Sequence, residues 1–169
     1  MRIRFAKLLA VFVFGSSGLY NPSPTAASHR AQARFGCPAA QAALFRWWAG
    51  IWDYAIPGYD PGVTTVTPSE DGCQLQEEFV DVGNKQAHTT ILFDPGSQRW
   101  KRLVADPFRT YRSSGVFAPD GSIAFYETPT ERETYRPVDH DHVHFLGESS
   151  TDGGKSWKIG FDAIFTRRP

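Results

Sequence analysis

Turn signals cut this chain at short, nearly regular intervals, and that punctuation restricts the fold more than any other feature. Asp71-Gly72, Asp94-Pro95-Gly96, Asp120-Gly121 and Asp152-Gly153-Gly154 each set an acidic residue beside glycine. Glycine accepts the positive φ that hairpin turns need, and aspartate folds back onto its own backbone there. Pro57-Gly58 and Pro61-Gly62 add two more breaks. The segments between them alternate apolar and polar residues or are rich in β-branched and aromatic ones, which reads as strand. Strands are expected over 50–56, 63–68, 73–80, 87–93, 99–105, 109–117, 122–128, 131–138, 141–149 and 156–166. No long helical pattern supplies the crossovers that a parallel sheet needs. A long antiparallel meander has two free edges, and closing it into a barrel removes both. The expected fold is all-β, an antiparallel up-and-down barrel of about 8–10 strands with a short N-terminal helix.

That helix is expected over 38–47. Pro38 suits a first turn, and Ala39, Ala40, Ala42, Ala43 and Leu44 are good helix formers. Leu44, Trp47 and Trp48 stand at i, i+3 and i+4 and would form an apolar stripe able to plug one end of a barrel.

The N-terminus reads as a leader. Arg2, Arg4 and Lys7 precede the apolar run Leu8 to Phe14, and Thr25-Ala26-Ala27 offers a small-residue cleavage site. The apolar run is shorter than the roughly 20 residues of a membrane span. The expected organisation is a signal peptide over 1–27, a flexible mature N-terminus over 28–36 and the barrel domain over 37–168, in a periplasmic or secreted protein. Cleavage removes three cations and no acids from a chain whose 18 basic and 18 acidic residues balance, leaving a mildly acidic domain with no membrane span. No basic stripe is present, so nucleic acid is not an expected partner. Nothing in the sequence indicates an oligomeric state. An oxidising compartment favours a bridge between the two cysteines, Cys37 and Cys73, over two separate thiols. The absence of Cys-x-x-Cys argues against redox chemistry.

Four phrases stand out together: Leu44-Phe-Arg-Trp-Trp-Ala-Gly-Ile-Trp52, Asp71-Gly-Cys-Gln-Leu-Gln-Glu-Glu78, Phe93-Asp-Pro-Gly-Ser-Gln-Arg-Trp100, and Asp152-Gly-Gly-Lys-Ser-Trp157 with Phe161-Asp162. In this order they resemble a group of bacterial secreted, lipocalin-like (calycin-type) proteins of uncharacterised function, over roughly Cys37 to Arg167. Gly50 and Trp52 also resemble the Gly-x-Trp first-strand signature of lipocalins and related barrels. The resemblance implies an up-and-down barrel and, more loosely, binding of a small apolar molecule. It transfers no catalytic residue. Asp139-His-Asp-His-Val-His144 is more His-rich than that group.

Several chemistries can be weighed on the residues themselves. His142 and His144 would share one strand face, and two such imidazoles can share a metal. The run Val138 to Asp141 reads as the preceding turn, and a polar outer face explains the same pattern. No metal is therefore assigned, with His142 and His144 the candidates if one binds. The serines lack a nucleophile elbow, and Asp152-Gly-Gly-Lys-Ser156 is too short for a phosphate loop. No cofactor is expected. Inward carboxylates among Glu77, Glu78, Glu127, Glu131, Glu133 and Glu148 would be desolvated, and one beside His88 or Tyr126 would suit a general base.

The aromatic supply is the stronger clue, with 13 Phe, 6 Tyr and 5 Trp. A small barrel can fill itself with such side chains, or they can wall a cavity with a few polar anchors. Trp52 is expected at the barrel floor, Trp100, Phe125, Tyr135 and Phe161 on the wall, and Glu77, His88 and Arg102 as polar anchors. The functional expectation is an exported binding protein for a small hydrophobic or amphipathic molecule. The alternatives are a cofactor-free isomerase or cyclase using an inward carboxylate or His, and a protein-interaction module.

Overall fold

The computed structural model describes residues 36–58 and 60–169. The leader expected over 1–27 and residues 28–35 of the tail expected over 28–36 lie outside the described residues. A short helix α1 (Ala39–Leu44) precedes ten strands: β1 (Gly50–Tyr54), β2 (Gly62–Pro68), β3 (Gln74–Asp81), β4 (Gln86–Asp94), β5 (Arg99–Ala105), β6 (Thr110–Phe117), β7 (Ile123–Thr128), β8 (Glu131–Pro137), β9 (His142–Ser149) and β10 (Lys158–Arg167). Each strand pairs antiparallel with its neighbours in sequence, and β1 pairs with β10, so the sheet closes. Closure leaves no edge to protect. The strand limits match the turn punctuation to within two residues.

The turns show why. Gly72 and Gly121 take φ of 70° and 80°, values that side chains resist. Asp120 caps its turn by accepting from the Ser122 N–H and hydroxyl. The hairpin expected at Asp152-Gly153-Gly154 joins β9 to β10 through a loop over 150–157, two residues longer than the expected link, with Gly153 and Gly154 at φ of 74° and 88°. Its Asp152 carboxylate gathers the Lys155 and Ser156 N–H groups and the Ser156 hydroxyl. Those three donations satisfy a local structure wider than a two-residue turn.

Alternation sets the interior. Trp52 and Tyr54 on β1, Leu75 and Glu77 on β3, and Trp100, Arg102 and Val104 on β5 are all buried and point inward. His88 is the exception to expectation. Thr89, Ile91 and Phe93 take the inner face of β4, so His88 projects from the outer wall and is exposed, with Glu78 as its cross-strand partner. A one-residue parity difference moves a side chain through the wall.

α1 sits at what we term the lower end. It stops at Leu44, so the helical spacing that would align Leu44, Trp47 and Trp48 does not hold. Phe45 and Trp48 are the residues that become buried. Phe45 meets Trp100 and Phe117 edge-on, each at 4.7 Å between centroids. Trp48 stacks on Trp52 at 5.0 Å. The Trp52 indole N–H donates to the Trp48 carbonyl at 2.9 Å, and that of Trp100 donates to Gln41 on the helix at 3.2 Å. Arg167, at the end of β10, lies 4.0 Å over the Trp52 ring and donates to the carbonyls of Ala49, Trp47 and His140. Cys37 and Cys73 are bonded, fastening the helix approach to the start of β3. The lower half of the barrel is thus packed solid with aromatic rings.

The pairing of β6 with β7 covers only Ser114 to Phe117 of β6, and a bulge follows Tyr126 on β7 where it meets β8. Above it, Arg109 reaches Glu127 at 2.8 Å.

Candidate functional site: a cavity in the upper barrel

The upper half is hollow. A cavity of about 420 Å³ opens at the end away from α1, within the range of about 300–1,000 Å³ found for small-molecule sites. Its wall is aromatic and aliphatic: Tyr54, Phe79, Val104, Tyr111, Tyr135, Phe145 and Phe161. The mouth carries Asp60, Asp81, Lys85 and Asp106, together with Phe108, which is 79% exposed on the loop before β6. A second hollow of about 220 Å³ lies on the β7–β10 side, and a third, of about 570 Å³, lies mostly against the outer faces of β4–β7. Arg102 borders all three.

Arg102 is the centre of the site. It is buried, rising from β5 between Trp100 and Val104. Its Nε donates to Ser113 Oγ at 3.1 Å and its Nη1 to the Tyr135 hydroxyl at 3.1 Å. Its Nη2 pairs with Glu133 on β8, and Tyr111 donates to the other Glu133 oxygen at 3.4 Å. The guanidinium carbon also lies 4.9 Å from the Phe125 ring centre. Burial opposes the charged guanidinium, but Glu133 together with the Tyr135 and Tyr111 oxygens outweighs it and the Arg102 pKa is raised. Burial also raises Tyr111 and Tyr135, so both phenols keep their protons and remain donors.

Glu77 lies lower, fully buried and outside the cavity lining. The Trp48 indole donates to its Oε1. Its Oε2, like the Thr64 hydroxyl on β2, has no hydrogen-bond partner among the described residues. Burial pushes its pKa up, more strongly than the Trp48 N–H and the Arg102 charge pull it down. Glu77 is thus a buried acid wedged into the floor.

The residues nominated from sequence therefore separate by height. Arg102, Tyr135 and Phe161 line the main cavity. Phe125 borders the smaller hollow beside it. Trp52 and Trp100 belong to the solid floor, Glu77 lies within it, and His88 is outside. Tyr54, Phe79, Tyr111, Glu133 and Phe145 complete the lining without having been singled out as anchors. Glu133 was legible through its parity, two residues before Tyr135 on the same strand face. Phe108 sits in a loop, where no periodicity marks it.

On the outer wall, His142 contacts Asp139 at 2.9 Å and His144 contacts Asp162 at 2.5 Å. Each imidazole has its own carboxylate. No group of three or more His, Cys, Asp or Glu among the described residues is arranged to hold a metal ion. No helix among them is long and apolar enough to cross a membrane. Compared with known proteins, the chain matches no protein-family model and no curated protein.

Proposed function

We propose that this protein is an exported, lipocalin-like binding module that holds one small amphipathic molecule in the upper half of its barrel. The observation that carries this reading is the pairing of a solid aromatic floor with a hollow above it, where a single buried arginine network interrupts an otherwise apolar wall. Apolar burial at about 25 cal/mol per Å² supplies the affinity, and Arg102, Tyr135 and Glu133 set orientation. Export is supported by the leader pattern of residues 1–27 and by the Cys37–Cys73 bond, which suits an oxidising compartment.

The isomerase or cyclase reading needs an inward general base. His88 is on the outer wall, Glu77 does not border the cavity, and Glu133 borders it but is held by Arg102 and Tyr111. That arrangement favours binding over proton transfer. Titration with the uncharged dye Nile red tests the reading. A saturable, single-site rise in emission supports it, and emission no greater than that seen with unfolded protein rejects it.

A further inference from the structure

We propose that the guest is an uncharged amphiphile bearing a carbonyl acceptor, such as an alkyl amide, and that the cavity discriminates against alkyl carboxylates. This rests on the binding reading above and adds the charge class of the ligand.

The first argument is the charge lining the cavity. Asp60, Asp81, Asp106 and Glu133 face only Lys85 and Arg102. Lys85 is already drawn to Asp60 at 3.2 Å and to Asp81 at 3.9 Å. An anion entering the mouth meets the carboxylates of Asp60, Asp81 and Asp106 and one ammonium that two of them already engage. The second argument is Arg102 itself. An arginine at the base of an apolar cavity would ordinarily suggest a carboxylate ligand, since its fork matches that group. Here the place is taken, because Glu133 on the opposite wall occupies Nη2. A guest carboxylate would have to share one guanidinium with Glu133 in a poorly solvated space, where like charges repel strongly.

A neutral carbonyl meets no such penalty. A guanidinium carries five N–H groups, and Arg102 donates to three protein side chains, Ser113, Tyr135 and Glu133. Donor capacity remains for a guest oxygen. The Tyr135 hydroxyl accepts from Arg102, so its own proton is a further donor at the same depth.

The test is displacement of Nile red from the full chain at neutral pH by three probes of equal chain length: decanamide, decanoate and decylamine. Decanamide is expected to displace the dye at a concentration at least about tenfold below decanoate, a difference of about 1.4 kcal/mol. In Glu133→Gln the gap is expected to narrow by about threefold or more, because decanoate gains more than decanamide does. The wild-type ranking stands whether or not that variant folds. Decanoate displacing as well as decanamide would overturn the proposal while leaving the binding reading intact. Decylamine binding best would overturn it too, because the mouth carboxylates would then be the recognition element. Failure of Nile red to bind removes both readings.

Discussion

Arg102 on β5 and Glu133 on β8 meet across the barrel interior, although two strands stand between them in the wall. Arg102 is 2% exposed and Glu133 23%, so the carboxylate is the wetter partner. Removing it strands a buried charge, which costs more than the intact pair contributes. Glu133→Gln is expected to lose about 3 kcal/mol of stability. Arg102→Met with Glu133→Gln should recover most of that loss, since no buried charge then lacks a partner. Urea denaturation of the two variants checks this. Equal losses would mean that the ion pair is not what Glu133 supports.

Glu77 makes stability depend on pH in an unusual direction for a carboxylate. Burial holds its folded pKa above the ordinary glutamate value. The folded protein therefore keeps this proton at a pH where the unfolded chain has released it. The stabilisation is complete below the unfolded value of about 4.3 and is lost as pH rises through the folded one. Glu77→Gln keeps an acceptor for the Trp48 indole but has no proton to lose. The urea midpoint of the wild type should fall relative to that of Glu77→Gln as pH rises above about 4.3. Parallel midpoints across that range would contradict the assignment.

Gly147 on β9 leaves room for the Phe161 ring, which lies where a Cβ would stand. Phe161 borders the main cavity. Gly147→Ala is expected to drive that ring from its place and weaken Nile red binding by about tenfold or more, with a stability cost of about 1–3 kcal/mol. Phe161→Ala combined with Gly147→Ala should restore room for the dye. Unchanged dye affinity in Gly147→Ala would show that Phe161 does not shape the site.

Arg167 ties the end of β10 to the segment entering β1 at the barrel floor. Its contacts run to three backbone carbonyls and to the Trp52 ring. Hydrogen bonds from a charged group are worth about 1.5–3 kcal/mol each, though they do not add fully. Arg167→Ala is expected to cost about 3 kcal/mol, and Arg167→Lys to recover less than half of it, because an ammonium lacks the planar fork. Thermal unfolding of both variants measures this.

Reduction of Cys37–Cys73 releases a bond that spans a sequence separation of 36. The chain-entropy estimate for such a loop is about 4 kcal/mol. Chemical denaturation of Cys37→Ser/Cys73→Ser should show a loss approaching that figure, with Nile red still bound by the fraction that remains folded.

The barrel was legible because its information is local. Asp-Gly turns and period-two alternation mark each strand, and neither depends on contacts distant in sequence. Which side chains point inward was legible on β3, where Cys73, Leu75, Glu77 and Phe79 alternate cleanly with polar residues. It was not legible on β4, where the Ala87 to Phe93 run offers apolar or β-branched residues to both faces and His88 fell on the wrong one. Height along the barrel is not encoded in alternation at all. Trp100 and Tyr135 look alike as inward aromatics, yet the first lies in the floor beside the helix and the second lines the cavity. That difference arises from where the turn after α1 inserts Phe45 and Trp48, a packing decision invisible to periodicity. Partnership across the interior, as between Arg102 and Glu133, likewise appears only when the sheet closes.

The central claim is that the space above the aromatic floor receives a guest. Crystals grown with excess decanamide test it most directly. The account predicts continuous density in the upper barrel, alkyl chain against Phe79, Phe145 and Phe161, with its carbonyl oxygen within hydrogen-bond reach of Arg102 or Tyr135. Density in that space explained by separate water molecules alone, at saturating decanamide, would contradict it.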